Sequence, residues 1–133
     1  MCRRPAGRLK HGVRFFAGQR ADAYLQRATR QAGYSVVVWR GRHVADPTML
    51  EPEEFSGYWA DVSAVVRAME QVYKACHLNF SMLGSAMPHV HTHVVPRYVD
   101  DERPGLPIDP VGPTIGEDEL ARQVEQLRAA IAV

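Results

Sequence analysis

The chain has 133 residues and a mass of 14.9 kDa, the size of one compact domain. Its 46% hydrophobic and 23% charged residues exclude wholesale disorder, a collagen-like repeat and a coiled-coil rod. Sixteen Lys and Arg against fifteen Asp and Glu leave a net charge of +1, so no overall field would hold the protein on nucleic acid or an anionic membrane.

In chain order, Val13 to Phe16 and Ala23 to Leu25 are short apolar segments on either side of Gly18-Gln19-Arg20, a pattern that predicts a two-stranded hairpin. Tyr34-Ser35-Val36-Val37-Val38-Trp39 is β-branched and aromatic, follows Gly33 and ends at Arg40-Gly41-Arg42, as a buried central strand does. Pro52 suits a first helical turn and Glu53 and Glu54 favour its positive end. Phe55, Trp59, Val62, Val66, Met69 and Tyr73 then recur at three- and four-residue intervals, which predicts the main helix, reaching about Cys76. On it, Tyr58 and Trp59 stand about 100° apart around the axis, so one is expected to face the core and the other a partner.

Asn79 to Leu83 and Pro88 to Val95 read as two strands joined around Gly84-Ser85. Pro104, Pro107, Pro110 and Pro113 predict an extended connector. Leu120, Val124, Leu127 and Ile131, with Glu117, Asp118 and Glu119 in the first turn, predict a closing amphipathic helix. The order is mostly strand, helix, strand, helix, which implies an α+β domain with one antiparallel sheet. No apolar run approaches the roughly 18 residues that span a bilayer, and Met1-Cys2-Arg3-Arg4 lacks the apolar stretch of a secretion signal, so a cytoplasmic location is expected. Cys2 and Cys76 are too few for a disulfide framework and are read as free thiols; whether Cys2 belongs to a zinc site with further residues upstream stays open.

The chemistry lies in His89-Val90-His91-Thr92-His93-Val94. These three of the six histidines alternate with small or apolar residues, so an extended strand projects all three imidazoles from one face and turns the other toward the core. Three titratable rings in a row each need a hydrogen-bond partner, which a purely structural strand seldom supplies. A metal site is one reading, since imidazole ligates zinc, copper or nickel. Against it, the outer two Cα atoms of a straight strand stand about 13 Å apart and string the ligands into a line. Covalent catalysis is the other: neutral imidazole is nucleophilic near neutral pH, and neighbouring rings can orient it and stabilise charge on a phosphate oxygen.

His89-Val90-His91-Thr92-His93-Val94-Val95 with Pro96-Arg97 resembles the signature of the histidine-triad (HIT) superfamily of nucleotide hydrolases and transferases. Tyr34 to His43, Leu50 to Glu54 and Asn79 to Gly84 are similar to a bacterial branch of it. The resemblance implies a HIT-like fold, with an antiparallel sheet, one long helix and a C-terminal helix. It divides the chain into a loosely matched segment over 1–12, a domain core over 13–99, and a proline-rich connector and helix over 100–133 packed on the same domain. It implies His91 as the nucleophile that attacks an α-phosphorus to form a nucleotidyl-histidine, His93 as a donor to a phosphate oxygen, and His89 as the ring that keeps the array in register. Asn79 and the Gly84-Ser85 backbone would meet the phosphates, and His43 would support the triad from behind or stand solvated in a loop. Phe15, Phe16, Tyr24 and Leu25 would serve mainly as core, with some touching the base.

Three departures qualify the likeness. Gln26 stands where many relatives carry an aspartate that binds the ribose hydroxyls, Tyr34 replaces a common histidine, and Ala86-Met87-Pro88 lacks a hydroxyl that assists amine leaving groups. The expected activity is therefore hydrolysis or nucleotidyl transfer at the α-phosphate of a purine dinucleoside polyphosphate or nucleotide ester. No resident cofactor is required; a divalent cation accompanies the polyphosphate at most. The expected partners are a purine nucleotide and a second copy of the chain, paired through the long helix and an adjoining strand. A nucleotide-binding module with weak catalysis and a His-rich metal binder remain as alternatives.

Overall fold

The computed structural model describes residues 8–9, 12–84, 87–101 and 104–132. Strands β1 (Arg8–Leu9), β2 (Gly12–Ala17), β3 (Ala21–Gln26) and β4 (Ser35–Trp39) follow one another as antiparallel neighbours. Helix α1 (Pro52–Tyr73) then crosses to β5 (His77–Ser81), β6 (His91–Arg97) and helix α2 (Glu117–Ala132). The six strands form one antiparallel sheet in the order β1-β2-β3-β4-β6-β5, so β6 is flanked on both sides and β5 is an edge. This is the α+β architecture expected from the pattern of elements.

Each element starts and stops for local reasons. The turn between β2 and β3 is held by Asp61 of α1, whose carboxylate accepts the Arg20 and Ala21 amides at 2.7 and 2.9 Å. Gly33 has φ +87° before β4, a region a side chain rarely adopts, and a Cβ there would also press on the Tyr73 ring. Pro52 opens α1, Glu54 accepts the Glu51 amide at 2.8 Å, and Lys74 in the left-handed region ends the helix. The helix thus stops at Tyr73, short of Cys76, and β5 starts two residues before Asn79, at His77. Cys76 is a free, exposed thiol.

The register sorts the sheet into two faces. Leu25, Val37, Trp39 and Val94 point toward the helices, where Tyr58, Val62, Val65 and Met69 of α1 and Leu120, Val124 and Leu127 of α2 complete the main core. Tyr58, wholly buried, donates to the Val37 carbonyl at 3.1 Å and lies 2.7 Å from the Thr92 hydroxyl, which accounts for threonine on the core face of β6. Trp59 is the outward member of that pair, its ring tilted against Phe55 and edge-on to Phe80. Phe15 and Leu25 belong to this core and not to a base pocket, because their strand positions face the helices.

The opposite face carries a second cluster of Tyr24, Tyr34, Val36, Val38 and Val95, and here the proline-rich connector lies as a strap, with Ile108 packed on the cluster. Backbone and side-chain bonds fasten it along its length. Arg97 donates to the Leu106 carbonyl at 2.7 Å, Gln26 to that of Pro110 at 3.3 Å, and the Thr29 amide to that of Pro113 at 2.9 Å. Prolines suit the strap because their carbonyls accept while no amide hydrogen is left unpaired.

Candidate functional site

His91 and His93 sit on β6, the strand with a partner on each side, and their side chains share the face opposite the main core. His91 stands across from Val38 of β4, and His93 stands between Val36 of β4 and Ser81 of β5. His89 does not extend that strand. Pro88 has no amide to donate, the His89 amide bonds back to the Met87 carbonyl at 2.7 Å, and β6 begins only at His91. The three rings are nonetheless all buried, at 3%, 4% and 8% exposure in chain order.

Each ring has a partner that restricts its protons. His89 Nε2 donates to the Trp39 carbonyl at 2.5 Å and His91 Nδ1 donates to the His89 carbonyl at 2.7 Å, since a carbonyl can only accept. Neutral His91 therefore carries its lone pair on Nε2, an atom with no hydrogen bond to any described residue. His93 Nδ1 lies 2.8 Å from the Tyr34 hydroxyl, and the His91 and His93 rings meet edgewise with centroids 5.1 Å apart. Burial, aided by the neighbouring His91, lowers the pKa of His93 to about 4, so this ring stays neutral at ordinary pH. His43 is an exposed loop residue, its ring centroid 6.0 Å from that of His89.

A cleft of about 210 Å³ opens on the array, lined by His89, His91, Gly84, Met82 and the Asp46–Pro47 turn. A larger cavity of about 660 Å³ runs along the same face between β5 and the strap, lined by Asn79, Ser81, Tyr34, Val95 and residues 107–110. The structure thus brings Gly84 beside the first two histidines and Asn79 into the adjoining cavity, whereas Ser85 lies outside the described residues, as do Cys2 and the first seven residues. Gln26 closes β3 at the far end of that face, its amide engaged by the strap. Among the described residues no group of three or more His, Cys, Asp or Glu side chains is arranged to hold a metal ion.

The family model for the HIT domain matches residues 12–100. The chain belongs to the HIT domain family. The HIT segment spans β2 through the end of β6 and so contains every strand that builds the triad face. Among solved structures, a histidine triad protein from Bradyrhizobium japonicum superposes with a TM-score of 0.83 at 19% identity, covering 96% of this chain and 99% of that one. One from Sinorhizobium meliloti gives 0.82 at 16% identity over 91% and 90%. A third, from Marinobacter aquaeolei, gives 0.80 at 18% identity over 92% and 90%. At these identities the likeness establishes the HIT fold. No curated protein matches the chain.

Three features of this HIT site escape a reading of the triad strand alone. Ser81 faces His93 across the β5–β6 ladder, and its spacing of two from Asn79 is the signal that places both on one face. Tyr34 bonds His93 directly. The strap brings Ile108 and Asp109 to the cavity wall from far along the chain, and no local pattern announces that contact.

The depressed pKa of His93 has a measurable consequence. The unfolded ring binds a proton near its ordinary pKa of 6.5 and the folded ring refuses it until about 4, so acidification between these values favours the unfolded chain. Urea unfolding should lose stability across that window. His93→Gln should remove part of the loss, on the order of 1 kcal/mol after allowance for solvent at the cavity. Equal pH slopes for the two proteins would contradict the assignment.

Proposed function

We propose that the protein is a nucleotide hydrolase or nucleotidyl transferase acting at the α-phosphate of a purine dinucleoside polyphosphate or related nucleotide ester. The observation that carries this reading is the pinned His91 ring: Nδ1–H given to the His89 carbonyl, Nε2 lone pair unengaged, at the edge of a cleft. His91 Nε2 attacks phosphorus, the bond to the leaving oxygen breaks with its electron pair going to that oxygen, and a nucleotidyl-His91 remains. The imidazolium charge of that intermediate is shared with Nδ1–H and stabilised by the His89 carbonyl. His93 donates to a phosphate oxygen, and His89, bonded to the Trp39 carbonyl, keeps the register. Water or another acceptor then attacks phosphorus and the electron pair returns to Nε2. This scheme uses no resident metal; a divalent cation, where present, arrives with the polyphosphate.

Asn79 and Ser81 line the cavity that would take the rest of the nucleotide, and Gly84 lines the cleft beside His89 and His91, where the phosphates would lie. No helix of the described residues is long and apolar enough to cross a membrane. The test is a panel of adenine and guanine nucleotides, including dinucleoside polyphosphates, quenched in alkali and analysed by mass spectrometry. A nucleotidyl adduct on the peptide carrying His91 is expected. Binding by calorimetry with neither adduct nor product would leave a nucleotide-binding module.

We also infer a homodimer. Phe55 and Phe80 are 42% and 49% exposed and flank Trp59 across α1 and the edge strand β5, an aromatic surface adjoining unpaired strand edge. Light scattering at micromolar concentration should give twice the chain mass, and Phe80→Asp should shift it to the monomer.

A further inference from the structure

We propose that Tyr34 is a positioning residue that locks His93 in the tautomer with its proton on Nε2, leaving His93 able to give the leaving group a hydrogen bond but not a proton. The inference rests on the nucleotidyl-transfer reading above and deepens it by naming the leaving-group class.

The Tyr34 phenol, in a residue 2% exposed, makes a single hydrogen bond among the described residues, 2.8 Å to His93 Nδ1. A phenol has one proton to give. Were Nδ1 protonated, it would donate to the phenol oxygen, and the phenol proton would be left with no hydrogen-bond acceptor among the described residues. With the phenol as donor both groups are satisfied: Nδ1 accepts, and the proton of neutral His93 resides on Nε2. The rings meet edge to face, centroids 5.6 Å apart at 89°, which holds the imidazole plane as well. Burial and the nearby Asp109 carboxylate push the Tyr34 pKa up to about 12, so the phenol keeps the proton it donates.

The neighbouring ring is set the opposite way. His91 has its proton on Nδ1 and its lone pair on Nε2, whereas His93 has its lone pair on Nδ1 and its proton on Nε2. One partner is a carbonyl, which must accept, and the other a phenol, which here must donate. Two adjacent imidazoles of one strand are thereby divided into an electron-pair donor and a hydrogen-bond donor. Protonating Nδ1 of His93 would reverse the Tyr34 bond and cost the phenol proton its acceptor, so the imidazolium that a full proton transfer requires is disfavoured. Leaving groups that depart as anions, such as phosphates of a phosphoanhydride, are favoured over amines, which must be protonated as they leave.

Two-bond proton–nitrogen NMR of histidine-labelled wild-type protein at neutral pH reads the tautomer without any substrate. His93 should show a protonated Nε2 and an unprotonated Nδ1, and the reverse pattern overturns the proposal even if Tyr34 variants fail to fold. Tyr34→Phe should give tautomer-averaged His93 shifts and lower kcat by about 10- to 100-fold with KM changed less than about threefold; an unchanged kcat with unchanged His93 shifts would overturn it. Wild-type protein should cleave an adenylyl phosphoanhydride at least about tenfold faster than an adenosine phosphoramidate, and equal rates would refute the leaving-group consequence. Wild-type protein inert toward every nucleotide would sink the nucleotidyl-transfer reading itself, whichever tautomer is found.

Discussion

His91→Asn is expected to lower nucleotide turnover by at least about a thousandfold, because it removes the Nε2 lone pair proposed to attack phosphorus and an amide offers no comparable nucleophile. The asparagine amide can still donate to the His89 carbonyl, so the fold should be kept and stability should change by no more than about 1 kcal/mol. Steady-state turnover, thermal unfolding and adduct mass spectrometry on the same preparation separate these effects. A variant that folds and still cleaves the wild-type substrate at a comparable rate means that His91 is not the nucleophile. His93→Gln, by contrast, should slow turnover and leave the His91 adduct detectable, since it removes a donor and leaves the attacking atom in place.

The largest loss of stability outside the main core is expected from Asp101→Ala. Arg97 and Asp101 form an ion pair at 2.5 Å with side chains 9% and 6% exposed, and the same carboxylate accepts Gln31 Nε2 at 2.8 Å and the Tyr98 amide at 3.1 Å. Burial pushes the Asp101 carboxyl upward, but the bonds from Arg97, Gln31 and Tyr98 outweigh it and hold the group below the usual carboxylate range. Removing it takes this carboxylate from the buried guanidinium and loosens the residue that grips the strap at Leu106. The cost should be about 2–3 kcal/mol in urea unfolding. The variant should also bind nucleotide more weakly, because the strap forms one wall of the larger cavity. A stability within about 0.5 kcal/mol of wild type would show that this network is solvated and carries little.

Where side-chain periodicity decides, the sequence was readable. The β-branched run before Trp39, the three- and four-residue spacing along α1 and the alternation around His91 and His93 each match the observed element to within a few residues. The triad could be seen because period two is the geometry of a strand. His89 departs from it because Pro88 cannot join the ladder, a constraint on where a strand starts that alternation does not report. The partners of the histidines were not legible: the Trp39 and His89 carbonyls are backbone atoms without any residue signature, and Tyr34 reaches His93 only through the β4–β6 pairing. Nor was the strap, whose prolines announced an extended segment but not the face on which it lies. Phe15 and Leu25 were ambiguous between pocket and core until strand register assigned them to the helices.

The strap also bears on how the molecule comes together. Gln26 meets Pro110 across 84 residues, Arg27 meets Glu117 across 90, and Arg128 reaches the Arg14 carbonyl across 114. Closing such distant contacts costs chain entropy before any of them is rewarded, so the hairpins and α1 should assemble early and the strap should settle late. Until it does, Tyr24, Tyr34 and Val95 present a bare apolar surface beside a preformed row of imidazoles. The last folding event is then the one that turns an open sheet into a container, and any lesion that delays it trades a finished cavity for stickiness.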